Sequence, residues 1–168
     1  NDLQVMGDAV RRLGDAGHQF RIVGDGRGVQ SALRLREEPW ASGTVGLVDW
    51  ARTLASSFSV GIAPLAATAF NISKSRLKLI EMMAAGIPWI SSPREEYRRL
   101  HRESGCGLLA ETPKQWVEHT RRLLTDDVLR KEMAEAGREY MRDQTYQAQA
   151  WRWLEAWQRA YDIERGKS

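Results

Sequence analysis

Cysteine, histidine and long apolar runs are scarce in this 168-residue sequence, and each shortage closes off a class of protein. The single Cys106 cannot form an internal disulfide, which fits a reducing compartment, so a cytoplasmic location is expected. His18, His101 and His119 show no ligand spacing, so no metal site is expected. His101 and His119 fall on charged helices and are expected to be exposed. No Ser/His/Asp or Cys/His grouping can be argued from spacing. No apolar run approaches a membrane span, and no signal peptide is visible. An excess of one charge is missing too, since 25 Lys and Arg stand against 22 Asp and Glu, a net +3. The basic residues are spread along helices and not gathered in a block, so nothing argues for nucleic acid.

What is present describes an ordinary soluble domain. Hydrophobic residues make up 42% and charged residues 28% of a chain long enough for one real core. Leu3, Met6, Val10 and Leu13 recur at helical spacing, so residues 3–16 read as an amphipathic helix with Asp2 as its N-cap. His18 to Gly24 reads as a strand, Gly24-Asp25-Gly26 as the turn after it, and 29–36 as a helix. Thr44 to Val48 reads as a short strand, and Asp49 as the cap of a helix over 50–57.

The most informative stretch is Phe58 to Pro93, which has the order strand, loop, helix, strand. An apolar run reaches Leu65, a helix is expected from Ser73 to Ala85, and Gly86 stops it. Pro88 leads into Trp89-Ile90, which ends at Ser91-Ser92-Pro93. This is the order of a βαβ unit, whose ligands bind at strand C-termini and helix N-termini. Beyond it come a charged helix over 94–103, a last short strand to Leu109, and helices starting at Thr112-Pro113, at Asp126 and at residue 145. Val128, Leu129, Met133 and Ala136 are expected to face inward. Trp151, Leu154, Trp157 and Tyr161 form a stripe on the last helix, with Trp153 off it. Strands alternate with helices to about residue 110 and only helices follow, which argues for an open parallel sheet covered on both faces.

Within the expected 73–85 helix, Lys74, Lys78 and Glu81 are spaced i, i+4 and i+7 and share a stripe. Leu77, Ile80 and Ala84 fall on another stripe, which is expected to face the sheet. Two cations near a helix N-terminus can pair with phosphate oxygens, and a carboxylate one turn on can accept from sugar hydroxyls. A solvated face with a Lys78–Glu81 pair worth about 0.2–0.5 kcal/mol explains the same spacing. Gly24-Asp25-Gly26 suits a phosphate or sugar loop, but it is not GxGxxG and reads equally as a plain β–α turn. Ser91-Ser92-Pro93 at a neighbouring strand end could line the same cleft or simply make a tight connection.

The run Pro64-Leu65, Phe70-Asn71-Ile72-Ser73-Lys74-Ser75-Arg76-Leu77-Lys78-Leu79-Ile80-Glu81 and Ala85-Gly86-Ile87-Pro88 resembles the donor-binding domain of the group-1 glycosyltransferases. These have the two-Rossmann-domain architecture called GT-B. Phe20 to Gly26 and the helices after Thr112 resemble the same domain, so the likeness covers nearly the whole chain. It implies a Rossmann-like three-layer α/β fold with a mainly parallel sheet and C-terminal helices. One domain is expected over residues 1–168, with a Trp-rich helix over 145–168. By this resemblance Glu81 matches a glutamate that binds the donor ribose, and Lys74 and Lys78 face the donor diphosphate. Phe70, Asn71, Ser73 and Ser75 lie beside the donor sugar and phosphates. The turn Gly24-Asp25-Gly26 approaches the donor, and the strand at Thr44 to Val48 ends near the base. The implied donor is a nucleotide-diphosphate sugar, which is a substrate, and no cofactor is expected.

Two departures stand out. Ser73 occupies the place of the family's first motif glutamate. The family's first strand, central in its sheet, and its acceptor-binding N-terminal domain have no counterpart here. The sequence begins at Asn1 and not at Met, so it reads as a fragment, inactive alone, of a protein with that domain as partner. Peripheral membrane contact of the longer protein is a further expected partnership, and the acceptor is unassigned. A nucleotide-sugar epimerase of the same architecture and a non-catalytic α/β interaction module are the alternatives.

Overall fold

In a computed structural model that describes residues 2–24, 26, 28–35 and 40–166, five short strands alternate with helices, and three helices close the chain. A turn of 3-10 helix, Asp2–Met6, leads into α1 (Ala9–Asp15), followed by β1 (Arg21–Ile22), α2 (Val29–Leu33) and β2 (Trp40–Ala41). Then come α3 (Leu47–Ser57), β3 (Gly61–Ala63), α4 (Ala69–Ile72), α5 (Leu77–Ala84), β4 (Trp89–Ser91), α6 (Glu95–Ser104) and β5 (Leu108–Leu109). The chain ends with α7 (Pro113–Thr125), α8 (Asp127–Arg142) and α9 (Tyr146–Glu164).

All strand pairing is parallel, but it falls into two sheets. β1 pairs with β2, and β3, β4 and β5 pair in that order. β4 is central in the larger sheet, and its side chains alternate between two cores, as the period of a strand requires. Ile90 joins Met6, Val10 and Leu13 of the N-terminal segment and Trp116, Val117 and Leu123 of α7. Trp89 joins Leu79 and Met83 of α5, Tyr97 and Leu100 of α6, and Cys106. Helices therefore cover both faces of β4, the layered arrangement expected for parallel strands.

β1 and β3 are terminal strands of their sheets, and both line one cavity of about 940 Å³. Val10 of α1, Trp50 and Leu54 of α3, and Thr120 of α7 complete much of its wall. The resemblance implies a strand at the centre of the sheet. Here the sheet is in two parts, and the cavity lies between them.

Several boundaries differ from the sequence reading, each for a local reason. Residues 3–16 form two helical pieces with Gly7 in the left-handed region between them (φ +56°), and Asp2 does not cap α1. Its carboxylate is occupied elsewhere. The strand expected at Thr44 to Val48 lies earlier, at Trp40–Ala41, and α3 starts at Leu47 with Gly46 as N-cap and Asp49 in its first turn. The helix expected over 73–85 starts later, as α5 at Leu77, because residues 73–76 form a non-helical link after the separate single turn α4. Its sheet-facing residues are Leu79 and Met83, both fully buried, while Leu77 is 57% exposed and Ala84 is exposed. In α8 the buried residues are Ala134 and Gly137, and Val128 is exposed.

The closing helices start as the sequence indicates. Thr112 and Gln115 form a reciprocal capping box with Pro113 in the first turn, and the Asp126 carboxylate accepts from the Leu129 N–H. Cys106 is a core residue, and burial pushes its thiol up to about 12. His101 and His119 are half-buried, not exposed: His101 packs edge-on to Trp89, and His119 Nε2 lies 3.2 Å from the Leu109 carbonyl. α9 buries no residue, and its Trp153 pairs with Trp157 at 6.3 Å between rings, so Trp153 belongs to the aromatic face.

Candidate functional site

The loop leaving β3 is held by side chains from three other segments. The Leu65 N–H donates to Ser92 Oγ at 2.9 Å, and Arg94 Nε donates to the Leu65 carbonyl at 3.1 Å. The Ala66 N–H donates to Asp2 Oδ1 at 3.0 Å, and Asn71 Nδ2 donates to the Ala66 carbonyl at 3.0 Å. Every backbone polar group of Leu65 and Ala66 thus has a side-chain partner, so the loop has one fixed path without a ladder. Ser92 thus holds the loop, and Ser91, Ser92 and Pro93 are all buried.

Beyond the loop, α4 is a single turn capped by Thr68, whose Oγ1 accepts from the Asn71 N–H at 3.2 Å. The cap orients Asn71, which is 4% exposed, so that its amide also donates to Asp2 Oδ1 at 2.6 Å. Lys74, in the link after α4, donates to Asp2 Oδ2 at 3.3 Å, and its ammonium lies 5.1 Å from the Phe70 ring centroid. Phe70 itself is 75% exposed. Ser73 and Ser75 lie on the same link and are exposed.

Asp2 is the residue that sequence reasoning missed. Above all the Ala66 N–H, and with it Asn71 and Lys74, hold its carboxyl below the usual carboxylate range against the opposing effect of burial. Tyr97 is the other titrating neighbour, and burial, then the Asp2 charge, push its hydroxyl up. Nothing local in the sequence announces this cluster, because Asp2 lies 69 residues from Asn71.

Lys78 and Glu81 take a different direction from Lys74. Both are on α5, less than one turn apart, and both line the 940 Å³ cavity beside Pro64 and Val23. Lys78 is exposed and Glu81 half-buried. Among the described residues no ion pair joins the two. The single stripe expected of Lys74, Lys78 and Glu81 is therefore divided: the link before α5 turns Lys74 toward Asp2 and leaves the other two at the cavity.

The glycine turn lies at the other sheet. Gly24 (φ +114°) donates its N–H to Ser42 Oγ at 3.1 Å and bridges to Gly43. A Cβ on Gly26 would stand 2.7 Å from the Ala41 Cβ, so the turn needs glycine there to approach β2. Asp25 lies outside the described residues. Among the described residues no group of three or more His, Cys, Asp or Glu side chains could hold a metal ion, and no helix is long and apolar enough to cross a membrane.

A second charged cluster fixes the start of α5 from outside. Glu103 of α6 accepts from Arg76, Arg99 and the Tyr140 hydroxyl, each at 2.7 Å. These bonds, Tyr140's first, push its carboxyl down to about 2. Arg76 is the N-cap residue of α5, so α6 and α8 together set where the helix bearing Lys78 and Glu81 begins.

Parallel strands and crossover helices, with polar groups gathered at the end of β3, define a Rossmann-like α/β architecture. The sequence matches the family described as "Glycosyl transferase-like" over residues 4–155, and the chain belongs to that family. Solved structures share the fold, three of them as follows. A mutant of S. aureus TarM, in complex with Fondaparinux, alpha-GlcNAc-glycerol and UDP, is 17% identical and superposes with a TM-score of 0.67 over 92% of this chain and 32% of its own. Sucrose-phosphate synthase from Thermosynechococcus elongatus is 16% identical, with a TM-score of 0.68 over 95% of this chain and 43% of its own. WaaG, a glycosyltransferase involved in lipopolysaccharide biosynthesis, is 18% identical, with a TM-score of 0.59 over 82% and 37%. The chain thus spans well under half of each of these proteins, which are GT-B glycosyltransferases of group 1. No curated protein sequence matches it closely enough to count as a relative.

Proposed function

We propose that this chain is the donor-binding domain of a glycosyltransferase and holds a nucleotide-diphosphate sugar. The observation that carries the reading is the joint placement of Lys78 and Glu81 on α5, where both line the large cavity near the end of β3. Membership of the glycosyl transferase-like family supports it, as does the likeness to a TarM structure that contains UDP.

In this reading Glu81 accepts hydrogen bonds from the ribose hydroxyls, and Lys78 pairs with the diphosphate. Lys74 joins it from the link before α5. Negative charge grows on the diphosphate as the glycosidic bond to the donor breaks, and fixed cations stabilise it most in the transition state. Phe70, Asn71, Ser73 and Ser75 lie toward the sugar end. With a serine at 73 the chain is better equipped to hold the nucleotide than to select the sugar. The acceptor is held by residues beyond these 168, so the chain alone binds donor weakly and transfers nothing.

Hydrogen exchange with UDP, GDP and ADP in turn tests the reading. Protection of the segment from Lys74 to Glu81 by one of them supports it, and no protection by any of the three overturns it.

A further inference from the structure

Three donors of different kinds converge on the Asp2 carboxylate: a backbone N–H from Ala66 (3.0 Å), a side-chain amide from Asn71 (2.6 Å) and the Lys74 ammonium (3.3 Å). A fixed N–H, an oriented amide and a mobile cation make the donor set of an anion site. Two of the three are locked independently of Asp2. The Ala66 amide belongs to the loop held by Ser92 and Arg94, and Asn71 is oriented by Thr68 and the Ala66 carbonyl. The cradle is also open, since the side chains of Asp2 and Lys74 each keep 34% of their surface in solvent.

We propose that Ala66, Asn71 and Lys74 form an anion cradle, and that the Asp2 carboxylate is its intramolecular occupant, which a phosphate group of the donor displaces. The inference rests on the donor-binding reading for the identity of the anion. A carboxylate offers two oxygens and one charge, whereas the donor's diphosphate, esterified at both ends, offers four free oxygens and two charges. Lys74 gains most from the exchange, because its bond to Asp2 is the longest of the three. In the absence of Asp2 the donors would be bare and the lysine free, so Asp2 sets a threshold that weak anions do not pass.

The test uses inorganic pyrophosphate, with titration calorimetry for affinity and NMR shifts of the Ala66 N–H and the Asn71 side-chain amide for location. Asp2→Asn keeps the shape and removes the charge; Asp2→Ala removes the acceptors. Competition predicts at least fivefold tighter pyrophosphate binding in both variants, with both reporter signals moving. Replacing Lys74 by Ala in the Asp2→Asn background should abolish the gain. If Asp2 were only a staple, both variants would melt lower and bind pyrophosphate no better than the parent, and that result overturns the proposal, as does a lack of binding in all forms. The nucleotide reading fails separately. Tighter pyrophosphate binding without protection by any nucleoside diphosphate would keep the cradle and remove the donor, and nucleotide binding unchanged by Asp2→Asn would do the reverse.

Discussion

The side-chain amide of Asn71 stands 2.6 Å from the carboxylate of Asp2, a contact that joins the first described turn of the chain to the loop after β3. It is also the shortest bond of the cluster that positions Lys74. On the far side of that lysine, α5 carries Lys78 and Glu81 to the cavity. There are therefore two pairs of opposite charges, Asp2 and Lys74 joined in an ion pair and Lys78 and Glu81 lining the cavity.

Removing either cavity-facing charge should weaken nucleotide binding without unfolding the domain. Lys78→Ala and Glu81→Ala are each expected to cost about tenfold in nucleoside-diphosphate affinity, as for one charge-assisted contact. Calorimetry on the tightest-binding nucleotide checks this. A Glu81→Ala variant with unchanged affinity would mean that Glu81 does not touch the ribose.

The Glu103 hub makes a pH prediction. Its folded carboxyl titrates at about 2, below the ordinary glutamate value near 4.3. A depressed folded value contributes stability that is fully present above the ordinary value and disappears as the pH falls toward the folded one. Asp2 shifts in the same direction. The melting temperature should hold from neutral pH to about 5 and then fall toward pH 2. Glu103→Gln should flatten part of that fall and lower the neutral-pH Tm by about 2–4 °C, a modest loss for a hub that is one-third exposed.

Gly107 is predicted to be intolerant of any side chain. It holds φ +82°, and an added Cβ would lie 2.3 Å from the ring of the fully buried Trp89. A rigid indole in a packed core has nowhere to move. Gly107→Ala should cost about 3 kcal/mol in urea unfolding, from backbone strain and overpacking together. A cost under 1 kcal/mol would show that the loop relaxes.

The aromatic face of α9 should matter little to folding. Trp153 and Trp157 are 59% and 64% exposed, and the helix buries nothing. Trp157→Gln is expected to change stability by less than about 0.5 kcal/mol, while reducing binding of the dye ANS and any self-association seen in sedimentation. A large loss of stability would mean that α9 docks on the domain in solution.

The sequence made the architecture legible where the signal was local. Alternating strands and helices and the helix starts at Thr112-Pro113 and at Asp126 all follow from neighbouring residues. The Trp40–Ala41 strand is not legible in the sequence because two residues carry almost no periodicity and their pairing with β1 is a long-range matter. The Lys74 stripe presumes a continuous helix, and nothing in the i, i+4 pattern announces that Ser73 to Arg76 are non-helical. Asp2 looked like an N-cap because caps are what an aspartate before an apolar helix usually makes. Its actual partners lie 64 to 72 residues away, beyond the reach of any pattern.

The division of the strands into two sheets bears on how the domain opens. Among the described residues no ladder runs from β1 to β3, so the β1–β2 pair and the β3–β4–β5 trio can lose their amide protection at separate free energies. The pair is the weaker unit: β1 and β2 are two residues long, and α2 buries none. A ligand seated in the cavity would touch both units at once and couple them. Exchange at Ile22 would then slow on binding even though Ile22 lies in a different sheet from the loop that presents Asn71 and Lys74.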